Sequence, residues 1–444
     1  MALGNVFMRD IDGNIPVVTS NTIENVCGLI FDISGQKNFW TAGAGLAIAD
    51  TWKDKVIELN SLNDAVEAGI TPYAGETDAS GASTDLLAGI PYYHIRQFFS
   101  MAGGSGRLFV MFADCSKDWN AIVEMQRAAS GSIFQIGIWT EQQLWVKPDE
   151  AANAYSINLV ADLNRVATEL ADDYFAPVSI LLCANTSKVK VGTTTVNTVA
   201  ISQIPTCVID ARYVTVLLSQ SMDEQVRRMQ GSLESTTPVG LVGLALGAVA
   251  RAGVGESIGW VRQFDIINYV PAIEMGFGDS TVEKGLIKNG LSYSAMTKSQ
   301  LNALADAGYV FARTFEGYEG HAYFNNDHTC SGRDFCNISR NRVINKSRRL
   351  IRMALLPYVN SPIKVDPANG NLSAAQVTVF ENLIKDILDA MESAEEISGT
   401  AFITVPAEQN ILVTKKLILS YGIVPMGCAE SIEVTEGLYV SQQA

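Results

Sequence analysis

The stretch YYHIRQFFSMAGGSGRLFVMFAD, residues 92–114, joins a helical segment to an apolar strand through a cluster of glycines. The run RLFVMFA is almost continuously apolar, as is typical of a strand covered by helices on both faces. The cluster Gly103–Gly106 raises the alternative of a phosphate site. However, it follows a helix instead of preceding one, and it lacks the Lys-Ser/Thr pair of a phosphate-binding loop. We therefore predict that these glycines end the helix and admit a close-packed strand.

Strands and helices alternate on both sides of this stretch. Short apolar segments, VCGLIFDI (26–33) and APVSILLCA (176–184), predict buried strands, whereas DWNAIVEMQRAAS (118–130) has the apolar spacing of a helix. A polar, β-rich insertion follows near residues 185–208, and two long helices precede an all-β end. The pattern predicts an α/β (α+β) chain of several domains, with an α/β N-terminal part and a C-terminal α+β domain.

The composition is that of a soluble protein with its own hydrophobic cores. The 444 residues are 48% hydrophobic and 18% charged, and the formal net charge of −15 argues against direct contact with nucleic acid or an anionic membrane. The longest apolar run, Val239–Arg251, is too short to cross a bilayer. The N-terminus shows no secretory signal, and seven cysteines without a regular pattern suggest a reducing, cytoplasm-like compartment.

One short motif matches that of a serine hydrolase. The sequence Gly255-Glu-Ser257-Ile-Gly259 has the spacing of a nucleophile elbow, and histidines follow it in the chain. An elbow stands between a strand and a helix, but here a helix of small residues precedes it. A serine hydrolase-like α/β enzyme is therefore kept only as an alternative.

A second alternative is a zinc-binding module. His321, His328, Cys330 and Cys336 lie within sixteen residues and carry side chains that suit zinc. Their spacing does not match the usual finger or ribbon pairs. A polar hairpin with two incidental thiols explains them better, so we predict no metal ligands and no cofactor.

The helix 338–355 carries an unusual excess of cations. Seven basic residues and a single acid lie between Arg333 and Arg352, in a chain that is acidic overall. Apolar periodicity assigns Val343 and Ile351 to the covered face of this helix. The opposite face is either simply solvated or a docking surface for an acidic partner. Its cations are Arg340, Arg342, Lys346, Arg349 and Arg352.

Four segments, in order, resemble the sheath subunit of contractile phage tails and bacterial contractile injection systems. The first combines KVIELNSLNDAVEAG (55–69) with GIPYYHIRQFFSMAGGSGRLFVMFAD (89–114). The second is LALGAVARAGVGESIGWV (244–261), similar to a small-residue helix with an Arg-bearing turn. The third runs from TKSQLNALADAGYVFARTF (297–315) to the basic helix, and the fourth is the β region AFITVPAEQNILVTKKLILSYGIVPMGCAESIEVTEGL (401–438).

This resemblance implies a structural protein without enzymatic activity. It implies a helical homopolymer that surrounds an inner tube protein and contracts to drive the tube through a target cell envelope, delivering a genome or an effector. Baseplate and terminator proteins would be further partners. The particle, a virion tail or an injection system, would be assembled in the bacterial cytoplasm. The basic helix would then face the tube.

The resemblance also implies terminal arms that complete the sheets of neighbouring subunits. We expect an N-terminal arm (1–28), an α/β outer region (29–235), a core sheath domain with the tube-facing helices (236–430) and a C-terminal arm (431–444). The alternative is that both ends are edge strands of the same molecule. The residues expected to form the arm strands are Ile15, Val17, Val18, Ile432, Val434 and Leu438.

Overall fold

A central mixed sheet organises the N-terminal part of the chain in a computed structural model. The model describes residues 24–34, 52–75, 86–103, 106–147, 155–186, 188–191, 194–197, 204–219, 221, 223–232, 239–270 and 293–436. Six strands follow the order β2-β3-β1-β4-β6-β9, and all run parallel to their neighbours except β2. Their bounds are β1 Val26–Asp32, β2 Val56–Leu59, β3 Arg107–Ala113, β4 Gln135–Gln143, β6 Ser179–Asn185 and β9 Val214–Val216.

Helices cover both faces of this sheet. Helices α2 (Leu86–Ala102) and α6 (Val242–Arg251) pack on one face, with the side chains of Leu29 and Phe31. Helices α3 (Asn120–Ala128) and α4 (Asn158–Asp172) pack on the other. The first short helix, α1, is Leu62–Glu67. The α/β architecture predicted from the alternating apolar segments is therefore confirmed.

The small-residue helix α6 belongs to this N-terminal core. A Cβ atom on Gly243 would lie 2.2 Å from the backbone oxygen of His94 in α2, and one on Gly247 would lie 2.7 Å from that of Phe98. Glycine is needed because the two helix backbones approach each other this closely. A domain boundary between residues 235 and 236, as expected from the sequence, would separate α6 from the core it completes. The division of the chain into domains stays a prediction.

The glycines of the opening stretch have the structural role that was predicted. Gly103 ends α2 with φ +69°, in the left-handed region. A Cβ on Gly106 would lie 2.8 Å from the ring of Phe98, so only glycine lets β3 start this close to α2. Gly104 and Ser105 lie outside the described residues.

Smaller elements connect the two parts of the chain. Strands β7 (Lys188–Val191) and β8 (Thr194–Asn197), in the region predicted to be a β-rich insertion, form a three-stranded sheet with β5 (Val146–Lys147), which lies outside that region. Helices α5 (Glu224–Ser232) and α7 (Lys298–Asp306) flank the core, and β10 (Ala312–Phe315) pairs with β11 (Tyr318–Phe324).

The C-terminal part consists of two helices under a two-stranded sheet. Its elements are α8 (Ile338–Leu355), a 3-10 turn (Leu356–Tyr358), α9 (Ala374–Ser393), β12 (Ile397–Thr404), α10 (Ile411–Thr414) and β13 (Ser420–Pro425). Val343, Ile351 and Ile384 form the centre of its core, as the apolar periodicity of α8 predicted. No helix within the described ranges is both long enough and apolar enough to span a bilayer.

Candidate assembly surfaces

The β12–β13 sheet leaves much of its backbone unpaired. The two strands are antiparallel, and no other described strand pairs with either of them. One face packs on α8 and α9 through Ile397, Ile403 and Tyr421, while the other exposes Phe402 and Val424. Two-stranded sheets are marginal in water, and open edges are templates for strands from other chains.

An extended tail follows this sheet. Residues 426–436 form no strand with any described part of the chain. Ile432 and Val434 are 83% and 75% exposed, although isoleucine and valine are among the residues most often buried. Glu430 anchors the start of the tail, since its Oε1 lies 2.8 Å from Nε2 of His328. Leu438, like Ile15, Val17 and Val18 at the other end, lies outside the described residues.

An apolar groove of about 590 Å³ runs beside β13. Its walls include Phe175 and Pro177 after α4, Leu355 and Leu356 at the end of α8, and Tyr421 of β13. Tyr421, which also packs against the core formed by α8 and α9, is its lining residue from β13. Among the residues that line it are three arginines: Arg348, Arg349 and Arg352. We call this feature the β13 groove.

The cationic face of α8 is largely buried, in contrast to the expectation that it meets another protein. Arg342 is 2% exposed, and its guanidinium donates to the backbone oxygens of Ala252 and Gly253. Burial lowers the pKa of Arg342. The Nζ atom of Lys346 lies 2.5 Å from Oε1 of Glu396.

The remaining cations of this set differ in exposure. Arg349 pairs with Glu24, and its guanidinium lies 3.9 Å from the ring centroid of Phe134. The expectation of a free face is therefore wrong for Arg342, Lys346 and Arg349, because carbonyls and carboxylates from distant segments cover them. Arg340 is half-buried and donates to the backbone oxygen of Asp334, and Arg352 is exposed.

The nucleophile-elbow motif has a structural role. The hydroxyl of Ser257 donates to Oδ1 of Asp327 at 2.9 Å. The same carboxylate accepts hydrogen bonds from the side chain of Asn337 and the backbone N–H of Ser339 at the start of α8. Ser257 therefore supports a carboxylate that caps α8, and its hydroxyl proton is directed to that carboxylate and not to an imidazole. The serine hydrolase alternative is not supported.

The four residues of the zinc alternative have separate partners. Nδ1 of His321 lies 2.5 Å from Asp265, and His328 contacts Glu430. Cys330 is fully buried, and the thiol of Cys336 donates to the side chain of Asn337. Within the described part of the chain, no three potential ligands come together in a metal-binding arrangement.

The carboxyl ends of the parallel strands are where α/β enzymes usually bind ligands. Asp32 ends β1 there, and it is 1% exposed. Its carboxylate accepts hydrogen bonds from the hydroxyl of Thr140, the amide of Gln142 and the backbone N–H of Cys115. These bonds join the end of β1 to the end of β4 and to the segment after β3, so Asp32 acts as a structural anchor.

Comparison with known proteins decides the family. Residues 44–328 match the sequence profile described as DUF2586, N-terminal domain, and residues 334–443 match that of DUF2586, C-terminal domain. The chain belongs to the DUF2586 family. The interval between the two matches coincides with the approach to α8, where Asp327 caps the helix. A search of curated protein sequences finds no match to this DUF2586 chain.

Solved structures resemble the DUF2586 chain over almost its whole length. A chain in the cryo-EM structure of the anti-feeding prophage (AFP) baseplate is 14% identical with a TM-score of 0.56, and the match covers 99% of both chains. A chain of the AFP helical sheath in its contracted state is 15% identical with a TM-score of 0.55, and 98% of this chain and 99% of that chain are covered. The sheath-protein fold that the sequence resemblance implied is thereby confirmed.

Proposed function

We propose that this chain is the structural subunit of a contractile sheath. Copies polymerise as a helical sleeve around an inner tube, and shortening of the sleeve drives the tube through a target cell envelope. The observation that carries the proposal is the match, over nearly the full length of both chains, to a chain of the AFP helical sheath. The energy of the stroke resides in two alternative sets of contacts between subunits, without any catalytic step.

The C-terminal arm would link one copy to the next. In an extended strand, Glu430, Ile432, Val434 and Glu436 share one face, because side chains alternate with a period of two. That face has two apolar side chains between two acids. Glu430 stays paired with His328 of its own subunit, so Glu436 is the acid available to the arginines that line the mostly apolar β13 groove. We therefore place the tail of a second copy at the open edge of β13, with Ile432 and Val434 in the groove.

The N-terminal arm is proposed to act in the same way. Among the described strands, β12 pairs only with β13, which leaves its other edge for a strand containing Ile15, Val17 and Val18 of another copy. Each subunit would then have a four-stranded sheet built from several chains. Backbone hydrogen bonds would hold neighbours together while other faces slide.

The proposed function implies specific partner proteins besides other copies of this chain. They are the inner tube protein, the baseplate and a terminator, with assembly in the bacterial cytoplasm before the particle acts. A tube-facing role is retained only for Arg340 and Arg352, the two cations of the original set that are not bound to a buried carboxylate or carbonyl.

Polymerisation is the direct test of the proposed function. We expect the purified protein to form hollow tubes or rings that are visible by negative-stain electron microscopy, and to form ordered sleeves when the tube protein is added. A species that stays monomeric or dimeric by light scattering at every salt and protein concentration, with tube protein present, would contradict the proposal.

Charge reversal tests the tube-facing role of the two cations. The variant Arg340→Glu/Arg352→Glu is expected to co-assemble with tube several-fold less well, and high salt is expected to weaken wild-type co-assembly. Because Arg352 also lines the β13 groove, Arg340→Glu alone is the variant that is expected to form sheath normally without tube. Co-sedimentation with preformed tube measures this. A matched control reverses Lys385, an exposed lysine on α9. If co-assembly with tube fell equally in the control, or did not fall in the double variant, the two arginines would have no tube-facing role.

A further inference from the structure

One face of α8 contacts three separate parts of the chain through buried cations. Arg342 binds the carbonyls at the end of α6, Lys346 binds Glu396, and Arg349 binds Glu24. The three cations are spaced i, i+4 and i+7, so they share one side of the helix. We call them the α8 cation row.

Each carboxylate forms a close ion pair with one cation of the row, and Glu24 also interacts electrostatically with Arg342. The side chains of Lys346 and Glu396 are 6% and 4% exposed, and that of Glu24 is 4% exposed. In the described structure, the second carboxylate oxygen of Glu24 and of Glu396 has no hydrogen-bond partner. Removing the paired cation would therefore leave a buried carboxylate without its ion-pair partner, which is unfavourable.

The two carboxylates stand at the bases of the elements that the proposed function uses for linkage. Glu24 lies two residues before β1, directly after the segment 1–23 of the N-terminal arm. Glu396 immediately precedes β12, at the base of the sheet that would receive a neighbour's strand. The backbone of Glu396 also lies against Gly255, where a Cβ atom would be 3.0 Å from its oxygen.

Helix α8 is well suited to hold these points at a fixed separation. It has 18 residues and is about 27 Å long at 1.5 Å per residue. Its first turn is fixed by Asp327, which is 1% exposed and also bonded to Ser257. The carbonyls of Ala252 and Gly253 fix the helix to the N-terminal core through Arg342.

We propose that the α8 cation row couples the strand-accepting sheet to the base of the donated arm within one subunit. A load that a neighbour applies at β12–β13 would pass through Glu396, Lys346, α8, Arg349 and Glu24 to the arm that this copy gives to the next. The transmission of load between copies rests on the proposed function. The coupling between β12 and the start of β1 is a property of the single chain.

Hydrogen exchange on the dilute, full-length protein tests the coupling without assembly. In Lys346→Met, amides of β12 are expected to exchange at least tenfold faster, and so are amides 24–28 at the start of β1. In Arg349→Met, amides 24–28 and, reciprocally, those of β12 are expected to speed up, because coupling between two sites is mutual. Mass spectrometry of peptides from both regions measures the change.

Three further variants make the outcome decisive. Arg348→Met removes an exposed neighbouring cation and is expected to change neither region. If Met variants fail to fold, Lys346→Arg and Arg349→Lys keep the charge and disturb only the geometry, with smaller changes expected in both regions. Faster exchange only around each cation's own partner would overturn the coupling. Failure of the wild-type protein to polymerise would instead overturn the sheath function and leave this result standing.

Discussion

Deletion of residues 431–444 is expected to give a folded subunit that no longer polymerises. The exposed side chains of Ile432 and Val434 show that the described part of the tail contributes little to its own subunit's core. In a neighbour's sheet, by contrast, the strand would make four or five backbone hydrogen bonds of about 1 kcal/mol each. Losing them weakens every contact by roughly a thousandfold. Circular dichroism checks the fold, and light scattering with electron microscopy checks assembly.

Point variants separate the two faces of the tail. Ile432→Ser/Val434→Ser removes the side chains that we place in the β13 groove, and should prevent assembly nearly as completely as the deletion. Glu433→Gln/Thr435→Ser changes the opposite face and is expected to assemble normally. Tubes of normal length from the deleted protein would show that the tail is not the link between copies.

Acid is expected to destabilise the N-terminal core through His94. This side chain is fully buried where α2 meets α6, and its Nδ1 accepts a hydrogen bond from the backbone N–H of Gly243. Burial lowers the pKa of His94 to about 3, with a smaller opposing effect from the backbone of Val239. The folded state therefore holds the neutral imidazole, whereas the unfolded state takes up a proton below about pH 6.5.

The sign and size of the pH effect on stability follow from proton uptake by the unfolded state. Stability from this group is fully present above pH 6.5 and falls by about 1.4 kcal/mol for each pH unit below it, a loss of about 4 kcal/mol by pH 3.5. Urea unfolding of wild type and His94→Gln from pH 4 to pH 7 measures the difference in slope. His321→Gln, at a half-exposed site, is the control. If the free energies of unfolding of wild type and His94→Gln changed in parallel with pH, the interpretation of a neutral buried imidazole would be wrong.

The sequence contains most of the information for the central sheet. Strands β3 and β6 are buried on both faces, so they are continuous apolar runs that need no knowledge of their neighbours. The glycine that ends α2 was predictable for the same reason, because a left-handed helix end is a local requirement. The packing of α6 against α2 was not predictable, because the contact between Gly243 and His94 joins residues 149 positions apart.

The cationic face of α8 was misjudged because helical periodicity only separates apolar from charged side chains. It does not reveal whether a charged face is covered. The partners of Lys346 and Arg349 lie 50 and 325 residues away, at Glu396 and Glu24. Each is an acid next to a strand. This position beside a strand was the only local sign that either acid is a partner of α8, and many solvent-exposed acids have the same position. The alternation of Ile432 and Val434 with polar residues is visible in the sequence itself, but a strand there stays a prediction, because residues 426–436 form no strand within the described chain.

The open β12–β13 sheet has a consequence for the two tips of any polymer built by the proposed strand exchange. Every internal copy both gives a strand and receives one, but the first copies have given without receiving and the last have received without giving. One tip therefore displays empty sheet edges, and the opposite tip displays unclaimed apolar strands. Such a polymer has a direction, and growth at its two tips obeys different rate laws. Two chemically different caps, one that offers a strand and one that offers an edge, would be required to stop it at a defined length.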